Sequence, residues 1–317
     1  AVIDTGIDIT HPDLTILRNG SFVRDRSVVD STHGTHVAGI AAARRDGVGM
    51  HGVAYNAQIN GIDVFSRNGP SGLAPVSAAG EIAAAIGSAG GVDRIYDRPF
   101  DALIGGVQTD PRLRSDVANL SLGITGTSAA DPSVRAIRAA MSDATAAGTL
   151  VVASLGNNRI QGASGAPAVF VDDPALRGRA VAVGNWDATR TTLADVVAGR
   201  AAGRIAGGDS NDCGNLRNCL FAPGTSIVST LPGGGYGPIS GTSMAAPHVA
   251  GALAVMKAAF PNVPPEALLQ RLFRTAVNPL TGRRGEFDPN SGFGWGLMDL
   301  GEAMRSQGAL QVATTSG

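Results

Sequence analysis

Short apolar runs recur along the chain at residues 1–3, 58–65, 117–122, 150–155 and 180–183, each closed by glycine or a small polar residue. Most lack the polar alternation of a half-solvated strand, so they read as strands covered on both faces. Between them, residues 78–89, 134–147, 243–260 and 265–275 carry small or apolar side chains at helical spacing. Residues 30–39 open a further helix running through Ala43, and 297–304 form a closing one. Residues 163–179 read as a loop, and 101–116 carry no decisive pattern. Strands alternating with helices predict an α/β fold of three layers: a mainly parallel sheet with helices on both faces.

At 317 residues and 44% hydrophobic content, the chain can bury a core large enough for one domain across residues 1–317. Its 44 glycines and aromatic content of 4% point to tight turns and closely packed helices rather than a core of large rings. The net charge of -1 gives no electrostatic reason to expect nucleic acid or an anionic membrane as partner. No apolar stretch approaches the length that spans a bilayer. Ala1-Val2-Ile3 reads as the inside of a strand, so the chain is expected to begin part-way through a longer protein. Cys213 and Cys219 lie six positions apart, a loop that closes easily. A disulfide is expected, stabilising by about 2 kcal/mol in the loop-entropy model and implying an oxidising compartment. Two unrelated free thiols are the alternative, and a zinc site would need a second Cys/His pair at suitable spacing.

Candidate chemistry gathers at strand ends and helix starts. Gly241-Thr242-Ser243-Met244-Ala245-Ala246-Pro247-His248 sets a hydroxyl just after a glycine turn, in the first turn of a helix. Unpaired N–H groups and the positive end of the dipole stabilise charge developing there. Pro247 is expected to remove one amide from that first turn, and Gly251 to admit a second backbone closely. Taken alone, Ser243 is equally well an N-cap. Asp4 ends the first strand, where open α/β sheets place their ligands, although Asp-Thr-Gly is also a common turn. His33 falls in a first helical turn, whose dipole disfavours imidazolium and so keeps the ring neutral, as a general base requires. His33 and His36 are spaced by three, without the four-residue step and acidic base of zinc-binding helices. No metal ligand is therefore assigned, and His36 reads as packed core. Asn157 delivers an amide at a strand tip, where asparagine is also a turn former. Hydroxyl, imidazole, carboxylate and amide are the groups that acyl transfer by serine needs.

Three motifs, Val2-Ile3-Asp4-Thr5-Gly6, His33-Gly34-Thr35-His36-Val37-Ala38-Gly39 and Gly241 to His248, resemble those of the subtilisin-like serine proteases, or subtilases, in the same Asp, His, Ser order. The resemblance implies that Asp4 orients His33, that His33 is the base, that Ser243 is the nucleophile and that Asn157 stabilises the oxyanion with the Ser243 N–H. It makes Ser121-Leu122-Gly123 an edge for extended substrate and Ala153, Leu155 and Gly156 part of the pocket wall, with the 163–173 loop. Asp172 or Asp173 at the pocket base would favour basic side chains; otherwise an apolar preference is expected. A narrower resemblance, to protease passengers of bacterial autotransporters, rests on Arg45 to Ala54, the Cys213/Cys219 loop and Gly294-Trp295-Gly296-Leu297-Met298-Asp299. It implies a secreted or surface location and a barrel beyond this chain. No cofactor is implied for catalysis. Asp13 and Asp46 stand where ligands to the family's structural calcium could lie, but Arg44-Arg45 beside them add unfavourable charge, and the segment ahead of the aspartate strand that often supplies ligands is missing from this chain. The partners expected are polypeptide substrates, with no nucleic acid, no membrane contact by this segment, and a monomeric state. An inactive binding module would show a lost triad member, and a lipase elbow would need glycine where Ala245 stands.

Overall fold

The computed structural model describes residues 1–22, 31–65, 79–93, 96–97, 102–103, 108–109, 114–201 and 205–305. The helix starts expected at Asp30 and Ala78, and most of the 101–116 stretch, lie outside the described residues. Strands β1 (Val2–Asp4), β2 (Ile16–Ser21), β3 (Ile59–Asp63), β4 (Val117–Leu120), β5 (Leu150–Ser154), β6 (Ala180–Trp186) and β7 (Cys219–Pro223) form one sheet in the order β7-β6-β5-β4-β1-β3-β2. Every neighbouring pair in it is parallel.

Helices cover both faces, which is why the central strands β5 and β6 are largely apolar and buried. Successive strand side chains point to opposite faces. Ile3, Val151, Ala153, Ala180 and Ala182 pack against α2 (Ala79–Ala89) and α3 (Arg135–Ala146). On the other face, Val2 meets α1 (Thr32–Ala42), while Leu150, Val152, Val181 and Val183 meet α4 (Thr242–Ala259) and α5 (Pro265–Thr275). The expected three-layer arrangement is the one observed. At Gly251 of α4, an added Cβ would sit 2.7 Å from Val53 Cβ and 3.0 Å from the Ala41 carbonyl, so the expected close approach is real.

The structure departs from the sequence reading at the margins. Strand β2 carries no apolar alternation because it lies at the sheet edge and is exposed from Leu17 onward. The 163–179 loop holds a short strand, Gly165–Ala166, antiparallel to Ile124–Thr125, and two single-turn helices, Ala168–Phe170 and Pro174–Leu176. The closing helix spans only Leu300–Met304, because the amides of Leu297 and Met298 pair with the Val277 and Phe221 carbonyls and Asp299 caps Glu302 N at 2.9 Å.

Asp13 is buried and its carboxylate accepts from the Tyr236 hydroxyl at 2.7 Å, which gives that charge a partner without a cation. The same bond pushes the Tyr236 phenol up to about 12. Asp46 accepts from Val48 N at 3.0 Å, and among the described residues no cluster of three or more carboxylate, imidazole or thiol groups could hold a metal.

Cys213 and Cys219 form a disulfide with Cα atoms 5.8 Å apart. Asp172 fastens its loop by accepting from Arg217 N and Asn218 N, both at 2.7 Å, while Trp295 Nε1 donates to the Arg217 carbonyl at 2.8 Å. Replacing both cysteines by alanine is expected to lower unfolding free energy by about 2 kcal/mol, as the loop-entropy model gives for so short a loop. Denaturant unfolding of both forms, with and without reductant, checks this: reductant should weaken only the parent chain.

Candidate active site

Asp4 ends β1, is 1% exposed, and accepts from Thr5 N at 2.7 Å through Oδ1. His33 lies in the first turn of α1, and its Nδ1 stands 2.6 Å from that same Asp4 oxygen. The close crossing of α1 over the β1 turn is enforced at Gly34, where a Cβ would fall 2.0 Å from the Gly6 carbonyl. Asp4 Oδ2 is buried with no hydrogen-bond partner among the described residues, so the carboxylate charge bears chiefly on the imidazole. The His33 pKa is consequently raised, first by the charge of Asp4, against burial, which lowers it. The dipole expectation for His33 is thus corrected: a carboxylate in contact outweighs the partial charge of a helix start. His36, one turn on, is fully buried with Nε2 3.0 Å from the Gly237 carbonyl, and burial lowers its pKa.

Ser243 is the second residue of α4, and Thr242, not Ser243, begins the helix. Gly241 precedes it at φ 149°, a conformation open to glycine. Pro247 lies inside the helix rather than in its first turn, which corrects the sequence reading. Four residues after Ser243, it withholds the N–H that would bond the Ser243 carbonyl. Ser121 Oγ takes that carbonyl instead at 2.7 Å, and Asn119 Nδ2 donates to Ser121 Oγ at 3.0 Å. In return, Ser243 Oγ donates to the Ser121 carbonyl at 3.2 Å. No hydrogen bond joins Ser243 to His33 in this arrangement; such bonds commonly tighten only in complex.

Asn157 follows β5 and Gly156. Its Oδ1 accepts from Thr242 N at 2.9 Å and Thr242 Oγ1 at 3.1 Å, leaving Nδ2 as the donor at the mouth of α4. Gly156 N donates to Thr242 Oγ1 at 3.1 Å, so Thr242 links the turn that carries Asn157 to the helix of Ser243. The roles of Thr242 and Asn119 are not legible in the sequence: Thr242 bonds Asn157, 85 residues away, and Asn119 acts only through Ser121, whose partner Ser243 is 122 residues on. Of the expected wall, Ser121 and Leu122 are buried just past β4 and Gly123 is exposed. Ala153 and Leu155 are wholly buried, their side chains in the core. Leu155 N donates to the Val183 carbonyl, and its own carbonyl accepts from Ser164 N. Any contribution of these two residues to a pocket wall would therefore come from their backbone. Asp172 binds the 217–218 amides, and Asp173 pairs with Arg138 and Ala175 N, so both carboxylates are committed elsewhere than to a pocket base.

An acid–imidazole pair at the end of one strand, and a serine at a helix start fastened just past the adjacent strand of a parallel sheet covered on both faces, define an α/β protein with the groups for acyl transfer through serine. The chain belongs to the subtilase family, peptidase S8, whose model matches residues 1–296. It is similar to subtilisin E of Bacillus subtilis, 33% identical over 281 residues that cover 87% of this chain and 60% of that protein. The subtilisin of Bacillus pumilus is 32% identical over 281 residues, covering 87% of this chain and 82% of its own. Among solved structures, fervidolysin from Fervidobacterium pennivorans, described as a keratinolytic enzyme related to subtilisin, matches with a TM-score of 0.67 and 29% identity over 98% of this chain and 42% of that one.

The Asp4–His33 contact has a thermodynamic consequence of definite sign. A raised folded-state pKa means that protonated His33 stabilises the fold fully below its ordinary value of 6.5, and that this stability is lost as pH climbs through the raised value. Proton NMR of the His33 ring should show a midpoint above 6.5 in the parent chain. In Asp4→Asn the midpoint should fall, because burial then acts unopposed. A parent midpoint below 6.5 would contradict the electrostatic account.

Proposed function

We propose that this chain is the catalytic portion of a serine endopeptidase that cleaves polypeptides through an acyl-enzyme on Ser243. The observation that carries this reading is the buried Asp4 carboxylate 2.6 Å from His33 Nδ1, on the strand adjacent to the one whose end holds the Ser243 helix. The Ser243 hydroxyl turns from the Ser121 carbonyl toward His33 Nε2, gives up its proton there and attacks the scissile carbonyl. Asp4 fixes the ring with Nδ1–H toward its own oxygen and stabilises the imidazolium that forms. Asn157 Nδ2 and the Ser243 N–H receive the oxyanion at the positive end of α4. His33 then protonates the leaving amine, and a water attacking by the reverse route releases the acyl group.

The extended substrate lies along Ser121-Leu122-Gly123, where backbone pairing accepts varied side chains. With Asp172 and Asp173 committed elsewhere, an uncharged residue is preferred before the cut bond. The disulfide supports action in an oxidising, extracytoplasmic setting, secreted or at the cell surface. The finer reading, a passenger of a bacterial autotransporter, rests on the resemblance of residues 45–54, 213–219 and 294–299 alone; fractionation of cells making the full-length protein tests it. A monomeric state is a proposal of the same standing, open to sedimentation.

Ser243→Ala should abolish peptide cleavage and fluorophosphonate labelling while preserving the circular dichroism of the parent; subtilisin itself loses about a millionfold in kcat for such a change. Unaltered turnover in that variant would reject the assignment. Asn157→Ala should lower kcat by about a hundred- to a thousandfold, the loss known for the equivalent amide of subtilisin, with little change in KM. Because the base must be neutral, kcat/KM should rise with pH along an acid limb centred above 6.5.

A further inference from the structure

We infer that Asn211 is a positioning residue for the proposed reaction: its side chain sets the turn that carries Asn157 and the adjoining pocket wall. Asn211 lies in the polar stretch Gly208-Asp209-Ser210-Asn211-Asp212-Cys213, which no sequence motif marks, yet its side chain is wholly buried. The carboxamide is saturated. Oδ1 accepts from Asn158 N at 2.8 Å and Ile160 N at 3.3 Å, and the two Nδ2 hydrogens are shared among Leu155 O at 3.2 Å, Gly162 O at 3.0 Å and Ser164 Oγ at 2.8 Å. Its backbone N donates to Gly156 O at 3.0 Å.

These partners encircle one residue. The backbone is fastened at Leu155 and Gly156 before Asn157, and at Asn158 after it, while Asn157 itself is exposed and makes no hydrogen bond with Asn211. The fit leaves no slack, since a Cβ on Gly156 would meet Asn211 Nδ2 at 2.9 Å and Ser164 Oγ at 1.9 Å. Asn211 is in turn fixed from outside. Asp212 N donates to Ile160 O, Gly162 N donates to Asp212 O, and the next residue, Cys213, is covalently bound to Cys219. A buried amide with every bond made holds its partners far more firmly than an exposed turn holds itself. Thr242 orients the Asn157 side chain from the helix; Asn211 orients its backbone from below.

The inference rests on the peptidase reading, and the test separates the two. Parent, Asn211→Ala, Asn157→Ala and the double variant are assayed on two peptides that differ only in a small or large residue before the cut bond. Rates are taken per active site, counted by fluorophosphonate titration. Asn211→Ala should lower kcat about tenfold when Asn157 is present and less than about threefold when it is absent, because coupled residues are not additive. The ratio of kcat/KM between the two peptides should also change. Asn211→Ser, which keeps one hydroxyl for these bonds, should fall between parent and Asn211→Ala, and carries the same cycle if the alanine variant does not fold. Asn278→Ala is the control: Asn278 is equally buried and braces the Leu280 and Thr281 amides, so it should alter melting but neither kcat nor the peptide ratio. Losses that multiply in the double variant, or an Asn278→Ala enzyme that behaves like Asn211→Ala, would reduce Asn211 to scaffold and overturn the inference. A parent chain that neither labels nor cleaves would remove the peptidase reading, and the inference with it.

Discussion

Pro247 has no N–H for the carbonyl of Ser243, and the candidate site is organised around how that carbonyl is satisfied. The acceptor is filled from outside the helix by Ser121 Oγ at 2.7 Å, itself supported by Asn119 Nδ2. A fully buried acceptor left unpaired costs about 1–3 kcal/mol, and this half-buried one costs less, so the contact helps to set where α4 sits. Its location matters as much as its strength. Ser121 follows β4, which lies between β1, ending in Asp4, and β5, leading to Asn157. One strand-to-helix bond therefore places the serine between the acid on one neighbouring strand and the amide beyond the other. In a parallel sheet all three strand ends face the same edge, which is what allows residues so distant in sequence to share a crevice.

Three imidazoles lie near one another, and their surroundings drive them apart. Burial lowers the pKa of His36 and His248, whose rings bond the carbonyls of Gly237 and Met244. Those acceptors carry no full charge to offset the loss of solvent. His33 alone touches a carboxylate, and it alone is raised. The proton that arrives in this cluster as pH falls therefore settles first on the ring that faces Asp4. Had His36 possessed a carboxylate as well, two adjacent rings would compete for it and repel each other when both were charged.

The central sheet and the large helices were legible because each has a local cause. Val151, Val152, Val181 and Val183 are buried on two faces and so form unbroken apolar runs, while the helix of Ser243 shows its small residues and glycine entry directly. What escaped has a non-local cause. Strand β2 is polar because it stands at an edge, and β9 (Gly235–Ile239) contains glycine and proline yet pairs with β8 (Ile227–Leu231) through the backbone. For the site, Asp4, His33, Asn157 and Ser243 announce themselves by motif, but Thr242 and Asn211 act through partners 85 and 53 residues away, and Asn119 acts only through Ser121, whose own partner Ser243 is 122 residues on. Nothing in their own neighbours distinguishes them from other small polar residues. The His33 expectation failed for the same reason: the helix start is a local feature, whereas Asp4 arrives from another strand.

The reciprocal bonds between Ser121 and Ser243 also bear on how the proposed reaction begins. Ser243 Oγ donates to the Ser121 carbonyl at 3.2 Å, a length at the weak end for a hydroxyl donor. An extended peptide pairing with the Ser121-Leu122-Gly123 edge presents an N–H that needs this same carbonyl. In the proposed reaction, substrate and Ser243 hydroxyl would therefore compete for one acceptor, and the stronger backbone bond would displace the hydroxyl. The freed Oγ–H finds its alternative acceptor in neutral His33, an exchange of one hydrogen bond for another that is close to balanced in energy, within about 1 kcal/mol. The Ser243 carbonyl stays fastened to Ser121 Oγ throughout, so the helix need not move while the side chain turns. Backbone recognition and nucleophile alignment are then one event, with the Ser121 peptide group as the part they share.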